Sequence, residues 1–273
     1  MRQISILLIV LIGYCLPINA QQILPLEIKL FGGYQQPIGL KRVQSARGFT
    51  LGGQLAYTVT SNLNLHFDIA YDYTSLDQDD VLDEWNWAYW EETYVPFLPA
   101  VNLAEVNRTL RYDDGERAAV FEPEQSLKEL RLAVGGAFRL NLSDHLAGFV
   151  QFDFGATRYS RELRMTEHWI RRFELTDTNP DSTIDTSLYN YKYDLLHFAP
   201  AKTGWRLFIA PVLGAAYELS ESIDLYTEAK YIYYLPRDQV EWLEELLQIP
   251  VESEQFFPLK ARWLIGFGIK FKY

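Results

Sequence analysis

The chain has 273 residues, 48% of them hydrophobic and 15% aromatic, with a formal net charge of −11 and one cysteine. A strongly acidic chain repels a polyphosphate, which excludes nucleic acid as a partner. One thiol makes neither an internal disulfide nor a cysteine-built metal site, so packing and backbone pairing must hold the fold.

Residues 1–20 read as a secretory signal peptide. Arg2 supplies the positive start, residues 4–12 a short apolar run, and Ile18-Asn19-Ala20 a small-residue cleavage point. The apolar run is too short to cross roughly 30 Å of hydrocarbon as a helix. Bulky Tyr14 before Cys15 argues against a lipoprotein signal, and a cut after Ala20 removes the sole cysteine. The expected organisation is a signal peptide over 1–20 and one exported domain over 21–273. No later apolar run reaches the length of a transmembrane helix, which leaves an exported soluble domain or a transmembrane β-barrel.

Eight segments then alternate with period two, the spacing that puts successive side chains on opposite faces of a strand. Leu26, Ile28 and Leu30 oppose Glu27, Lys29 and Phe31; Leu51, Leu55 and Tyr57 oppose Thr50, Gly52 and Gln54. Leu63, Leu65, Phe67 and Ile69 oppose Asn64, His66, Asp68 and Asp72; Leu130, Leu132 and Val134 oppose Glu129, Arg131 and Arg139. Leu146, Val150, Phe152 and Phe154 oppose Gln151, Asp153 and Thr157. In the segment from Trp205, Leu207, Ile209 and Leu213 oppose Arg206, Val212 and Glu218. Ile223, Leu225 and Tyr231 oppose Asp224, Glu228 and Lys230; Trp263, Ile265, Phe267, Ile269, Phe271 and Tyr273 oppose Arg262, Gly266, Lys270 and Lys272. Pro211 removes a ladder donor and calls for a local bulge or the end of the apolar band.

The connections alternate in length. Residues 60–62, 141–144 and 220–222 are tight turns, whereas 35–48, 75–126, 162–203 and 236–259 are long. Outer-membrane barrels keep short turns on the periplasmic side and long loops outside. The expected fold is an all-β, eight-stranded antiparallel up-and-down transmembrane β-barrel, with short periplasmic turns, long extracellular loops and both termini in the periplasm. A soluble sandwich or lipocalin-like barrel would share the alternation with its faces inverted. Aromatics at strand ends (Tyr57, Tyr71, Tyr73, Tyr217, Tyr231, Tyr233, Tyr273) favour lipid.

On this plan the chain resembles the small outer-membrane β-barrel proteins typified by the OmpA transmembrane domain, OmpX and OmpW. The resemblance implies an outer-membrane location in a Gram-negative-type bacterium, contact with outer-membrane lipid and lipopolysaccharide, and a monomer. It also implies that Phe267, Ile269, Phe271 and Tyr273 form the terminal signal read by the barrel assembly machinery. It specifies architecture and leaves function open among tethers, adhesins, narrow channels and lipid-modifying enzymes.

An eight-stranded barrel is only wide enough for its own side chains. The inward acids are Glu27, Asp68, Asp72, Glu129, Asp153, Glu218, Asp224 and Glu228; the inward bases are Lys29, Arg131, Arg139, Arg206, Lys230, Arg262, Lys270 and Lys272. The signs balance, so the expectation is an ion-pair network across a closed lumen, with His66 bonded to a carboxylate.

The loops carry what is specific. In the second, acids flank Trp85, Trp87, Tyr89 and Trp90, with Tyr94 following; this run serves either as an extracellular recognition surface or as the small core of a long loop. Asp113-Asp114-Gly115-Glu116 suits a hairpin turn between residues 109–112 and 117–121. Residues 158–175 and 184–197 suit a second hairpin turning at Asn179-Pro180-Asp181, and 238–248 a short amphipathic helix. His168 or His197 with Ser160, Ser187, Asp185 or Asp194 would be the enzyme candidates, but none sits in a recognisable motif. The reading is therefore a non-enzymatic barrel without cofactor or metal, acting in envelope structure or surface interaction. A narrow solute channel and a rim-located lipid-modifying enzyme are the alternatives.

Overall fold

The structure is a computed structural model and describes residues 26–78, 81–98, 103–106, 109–178, 184–236 and 257–272. The signal peptide, the Asn179-Pro180-Asp181 turn, the 238–248 helix and Tyr273 lie outside the described residues. The strands are β1 (Leu26–Ile38), β2 (Ser45–Thr60), β3 (Leu63–Asp77), β4 (Leu103–Val106), β5 (Thr109–Asp113), β6 (Arg117–Asn141), β7 (Leu146–Thr178), β8 (Ile184–Phe198), β9 (Lys202–Ser220), β10 (Ile223–Tyr234) and β11 (Ala261–Lys272). Eight of them close a ring in the order β6-β3-β2-β1-β11-β10-β9-β7, sealed by the β6–β7 ladder. Every neighbouring pair in the ring is antiparallel, and the first and last strands meet in register through Leu30↔Ile269. A closed ring leaves no sheet edge, as a lipid environment demands of backbone donors and acceptors.

Through the belt of all eight ring strands the apolar set points out and the polar set points in, whereas at the long-loop end Leu76, Leu127, Phe208 and Ile232 are buried in an apolar cluster. Leu51, Leu65, Phe152, Leu213 and Phe267 are exposed, whereas Thr50, Asp68, Gln151 and Lys270 are buried. A soluble barrel would invert this, so the apolar outer wall is a lipid-facing belt and the protein is a transmembrane β-barrel. Among the described residues no helix is long and apolar enough to cross a membrane. Inside, large rings need missing side chains opposite them. A Cβ on Gly268 would lie 2.8 Å from the Tyr226 ring and 2.1 Å from the Leu30 carbonyl oxygen, so only glycine lets that ring fold across the lumen.

Three expectations are refined or corrected. The connection over 35–48 is not a long loop. β1 runs on to Ile38 and β2 starts at Ser45, leaving residues 39–44 as the connection. Pro37 and Gly39 look like breakers, yet Pro37 pairs with Arg262 on β11 and lies beyond the last β1–β2 pair, Gln35↔Gly48. Ladder pairing there outweighs local propensity. Pro211 causes no bulge either. The β9–β10 register is the same at Lys230↔Val212 and Tyr233↔Ile209, on either side of the proline, and the ladder's register shift lies away from it at Ile223/Asp224. Finally, β6 and β7 reach 25 and 33 residues, far beyond a membrane span.

Above the barrel the same sheet continues as β4-β5-β6-β7-β8. Both expected loop hairpins are present, β5–β6 through Leu110↔Phe121 and β7–β8 from Arg164↔Phe198 to Thr178↔Ile184. The β6–β7 ladder ends at Arg117↔Arg171, so beyond it β7 and β8 stand as a two-stranded arm. Against the sheet pack a short helix α1 (Val81–Trp85), a π-helical turn (Tyr89–Tyr94) and a 3-10 turn (Val95–Phe97).

Candidate functional site

The lumen is filled by charge, sorted into clusters. One centres on Arg262, fully buried on β11. It donates to both oxygens of Glu129 (2.8 and 3.0 Å), to Asp72 (3.0 Å) and to the Gln35 side-chain oxygen (2.5 Å). Arg131 lies 3.4 Å from Asp72, and the Tyr234 hydroxyl donates to Glu129 at 2.8 Å. A second centres on Lys230, whose Nζ lies 3.0 Å from Asp68 and 2.9 Å from Asp153. His66 Nε2 is 2.7 Å from Asp153, and Gln54 and Gln151 donate to the two carboxylates at 2.7 and 2.9 Å. His66, Asp68 and Asp153 converge within 4.8 Å, close enough to ligate a metal. The Lys230 ammonium already takes the cation's place.

A third cluster lies toward the short-turn end. Lys270 reaches Asp224 (2.7 Å) and Glu27 (3.5 Å), and Lys272 reaches Asp224 (2.9 Å) and Glu218 (3.7 Å). Lys29 sits over the Phe149 and Tyr226 rings, in the field of Glu228 and Asp68. The cavity beside it, lined also by Arg139, holds only ≈ 30 Å³, about the share of one liquid water. At the opposite end Arg161 donates to Gln125 and Gln78, and the Trp85 indole donates to Gln125 at 3.0 Å, tying the second loop to the barrel wall. Arg206 is buried with its guanidinium over Phe257. The charged inward set follows from alternation. Gln35, Gln78, Gln125 and Arg161 escaped it because they lie where loops were expected, although Gln35 continues the β1 alternation.

The aromatic run of the second loop needs correction as a recognition surface. Trp85, Trp87 and Trp90 are buried with Tyr112, Phe121, Met165 and Trp169 in a core between the helical turns and the upper sheet. Trp90 stacks on Tyr94 at 5.1 Å and meets Phe121 edge-on at 5.7 Å. Tyr94 donates to Glu167 at 2.5 Å, as does the Trp169 indole. Burial, then the Glu167 bond, holds the Tyr94 hydroxyl in its protonated form. Of the five, only Tyr89 is well exposed. The cause is chemical: a long loop can fold only by burying its largest apolar groups. The spacing of Trp87, Trp90 and Tyr94 (i, i+3, i+7) was the signal of one buried helical face.

Of the enzyme candidates, the structure brings His168 and Asp194 together and leaves the serines apart from both histidines. His168 lies on the outer wall of the upper sheet, with Nδ1 2.8 Å from Asp194 and Nε2 3.7 Å from Glu122. The Asp194 hydrogen bond raises its pKa, with both carboxylates adding attraction. His197 faces the loop core, 2.8 Å from Glu167 and against the Tyr94 ring. Ser160 donates to Glu162, and Ser187 stands opposite Leu175 toward the arm's tip. Among the described residues neither histidine contacts a serine.

No protein-family model matches the sequence, and no curated protein matches it. Among solved structures, the chain is similar to Neisserial surface protein A, at 10% identity over 91% of this chain and 97% of that one, with a TM-score of 0.45. It is also similar to Ail, the attachment invasion locus protein of Yersinia pestis, in complex with the heparin analogue sucrose octasulfate (10% identity, 90% and 99% covered, TM-score 0.37). A third is CarO of Acinetobacter baumannii (9% identity, 93% and 100% covered, TM-score 0.31). All three are outer-membrane β-barrels. At such identities the assignment of the fold rests on the closed ladder and its outward apolar wall.

Proposed function

We propose that the chain is a closed, non-enzymatic outer-membrane barrel of a Gram-negative-type bacterium, and that its working part is the upper sheet, held above the membrane for surface interaction. The observation carrying this reading is the packed lumen. Charged clusters around Arg262, Lys230 and Lys270 pair acids with bases across the bore. In this reading the short turns and both termini lie in the periplasm, residues 1–20 are removed, and Phe267, Ile269, Phe271 and Tyr273 guide assembly. The protein is a monomer in contact with lipopolysaccharide.

Single-channel recording of the refolded protein in a planar bilayer tests the closed lumen, after heat-modifiable gel mobility has shown that it folded. Silence is the expected result; reproducible conductance steps would favour the narrow channel. Labelling of Ser187→Cys in intact cells by an impermeant thiol reagent tests the orientation. Reaction is expected, and protection in intact cells with reaction after lysis would reverse it.

A further inference from the structure

The charge pairing of the lumen leaves two cations over. In the half of the barrel toward the short turns, the cavity of ≈ 30 Å³ is lined by Lys29, Arg139, Lys270, Glu27, Asn64 and Tyr226 among others. Lys270 is engaged by Asp224 at 2.7 Å and by Glu27 at 3.5 Å. The second oxygen of Glu27 accepts from the Asn64 amide at 3.2 Å. Lys29 is only 7% exposed, yet it has no hydrogen bond or ion pair among the described residues. Its ammonium lies over two rings, Phe149 at 4.9 Å and Tyr226 at 5.4 Å. Arg139 makes no ion pair among the described residues either. Its Nε is buried without a hydrogen-bond partner, and so is the Tyr226 hydroxyl.

A buried cation is costly unless an opposite charge and hydrogen bonds replace its water. Ring faces attract a cation but give its N–H groups no lone pair. The acids whose field reaches Lys29 are Glu228 and Asp68. Asp68 is already held by Lys230 and Gln54, and Glu228 makes no ion pair among the described residues. The cavity is therefore rich in donors and short of acceptors. The ammonium brings three N–H groups, the Arg139 Nε one, and the Tyr226 hydroxyl one more. A water molecule would accept some of these and add hydrogens that need acceptors of their own. A single-atom anion accepts from every side and cancels a charge. Size excludes larger anions, since the space is about the share of one liquid water. Phosphate, sulfate and carboxylate ligands do not fit, whereas a chloride ion is little larger than water.

We propose that this cavity is a halide site, holding one chloride ion between Lys29 and Arg139 as a structural counter-ion of the lumen. The Lys29 ammonium, the Arg139 Nε–H and the Tyr226 hydroxyl donate to it. The inference goes beyond the surface-interaction reading, and it does not depend on which end of the barrel faces the periplasm. It makes the charge balance of the lumen depend on a dissolved ion as well as on the chain's own acids and bases.

The test is urea unfolding of the full refolded chain in lipid vesicles, with sodium gluconate exchanged for sodium chloride at constant ionic strength. An ion bound by the folded form alone acts by mass action. Once the site fills, each tenfold rise in chloride should lower the unfolding constant about tenfold. Bromide should act in the same way. Lys29→Met should erase the dependence, and Arg139→Gln should move it to higher chloride; heat-modifiable mobility checks that each variant folds. Crystals of the parent grown in sodium bromide should show an anomalous peak between Lys29 and Arg139. The proposal is overturned if chloride leaves the unfolding midpoint unmoved, which would mean that water and Glu228 suffice for Lys29. It is overturned equally if Lys29→Met keeps the parent's response, the mark of a general salt effect, or if bromide gives no peak in the cavity. Should Lys29→Met fail to fold, Arg139→Gln and the bromide peak decide.

Discussion

Replacing Arg262 with methionine should be the most damaging single change in the lumen. The guanidinium is fully buried and serves two acids, Glu129 and Asp72. After the change Asp72 keeps Arg131 at 3.4 Å, but Glu129 keeps only neutral donors, the Tyr234 and Thr157 hydroxyls. A buried carboxylate stripped of its cation costs about 3–5 kcal/mol. That is between two and four powers of ten in the folded-to-unfolded ratio, at about 1.4 kcal/mol per tenfold. The assay is urea unfolding in lipid vesicles, followed by tryptophan fluorescence and gel mobility. The second variant isolates the cause. Arg262→Met with Glu129→Gln removes the stranded charge while leaving Asp72 paired, so it should recover most of the loss. The reasoning fails if Arg262→Met alone stays within about 1 kcal/mol of the parent, since water would then be solvating Glu129. It fails equally if adding Glu129→Gln makes the protein no more stable.

Lys230→Ala should open a cation site between His66, Asp68 and Asp153. Zinc should then raise the unfolding midpoint of the variant and leave the parent unmoved; equal responses would mean the three side chains do not converge as described. Trp90→Ala should cost the loop core about 3–5 kcal/mol, as large aromatic truncations do. Limited proteolysis should then cut residues 78–116 faster while the barrel keeps its heat-modifiable mobility, and an unchanged cleavage rate would count against the buried tryptophan core. At the β5–β6 turn, hydrogen bonds from Tyr112 and the Arg117 backbone hold the Asp114 carboxyl down at about 2. A depressed carboxylate stabilises the turn above its ordinary value near 3.8 and loses that contribution as pH falls toward 2. An NMR titration midpoint for Asp114 near 3.8 would show that the turn is not closed in solution. His168 has the opposite sign: its pKa is raised from 6.5, so its pairing with Asp194 is full at lower pH and fades as pH rises through the shifted value.

The ring was legible because lipid outside and charge inside impose opposite chemistry on alternate residues. That contrast keeps its phase through the apolar belt of each ring strand and reverses above it, where β6 and β7 bury Leu127 and Leu163 and expose Glu124 and Arg164. The lumen residues were legible for the same reason, since an inward acid such as Asp68 needs only parity to be placed. Their pairing was not, because Lys230 meets Asp68 and Asp153 across the bore, and no sequence spacing encodes that distance. Above the membrane the rule loses its force, since water on both sides asks nothing of parity. There Trp85 and Trp90 could face either way, and the need of a long loop for a core decided it. The arm is the informative exception. Tyr189, Tyr191 and Tyr193 alternate as strictly as any ring strand, yet no lipid lies beside them and the described loop core reaches only the lowest rung.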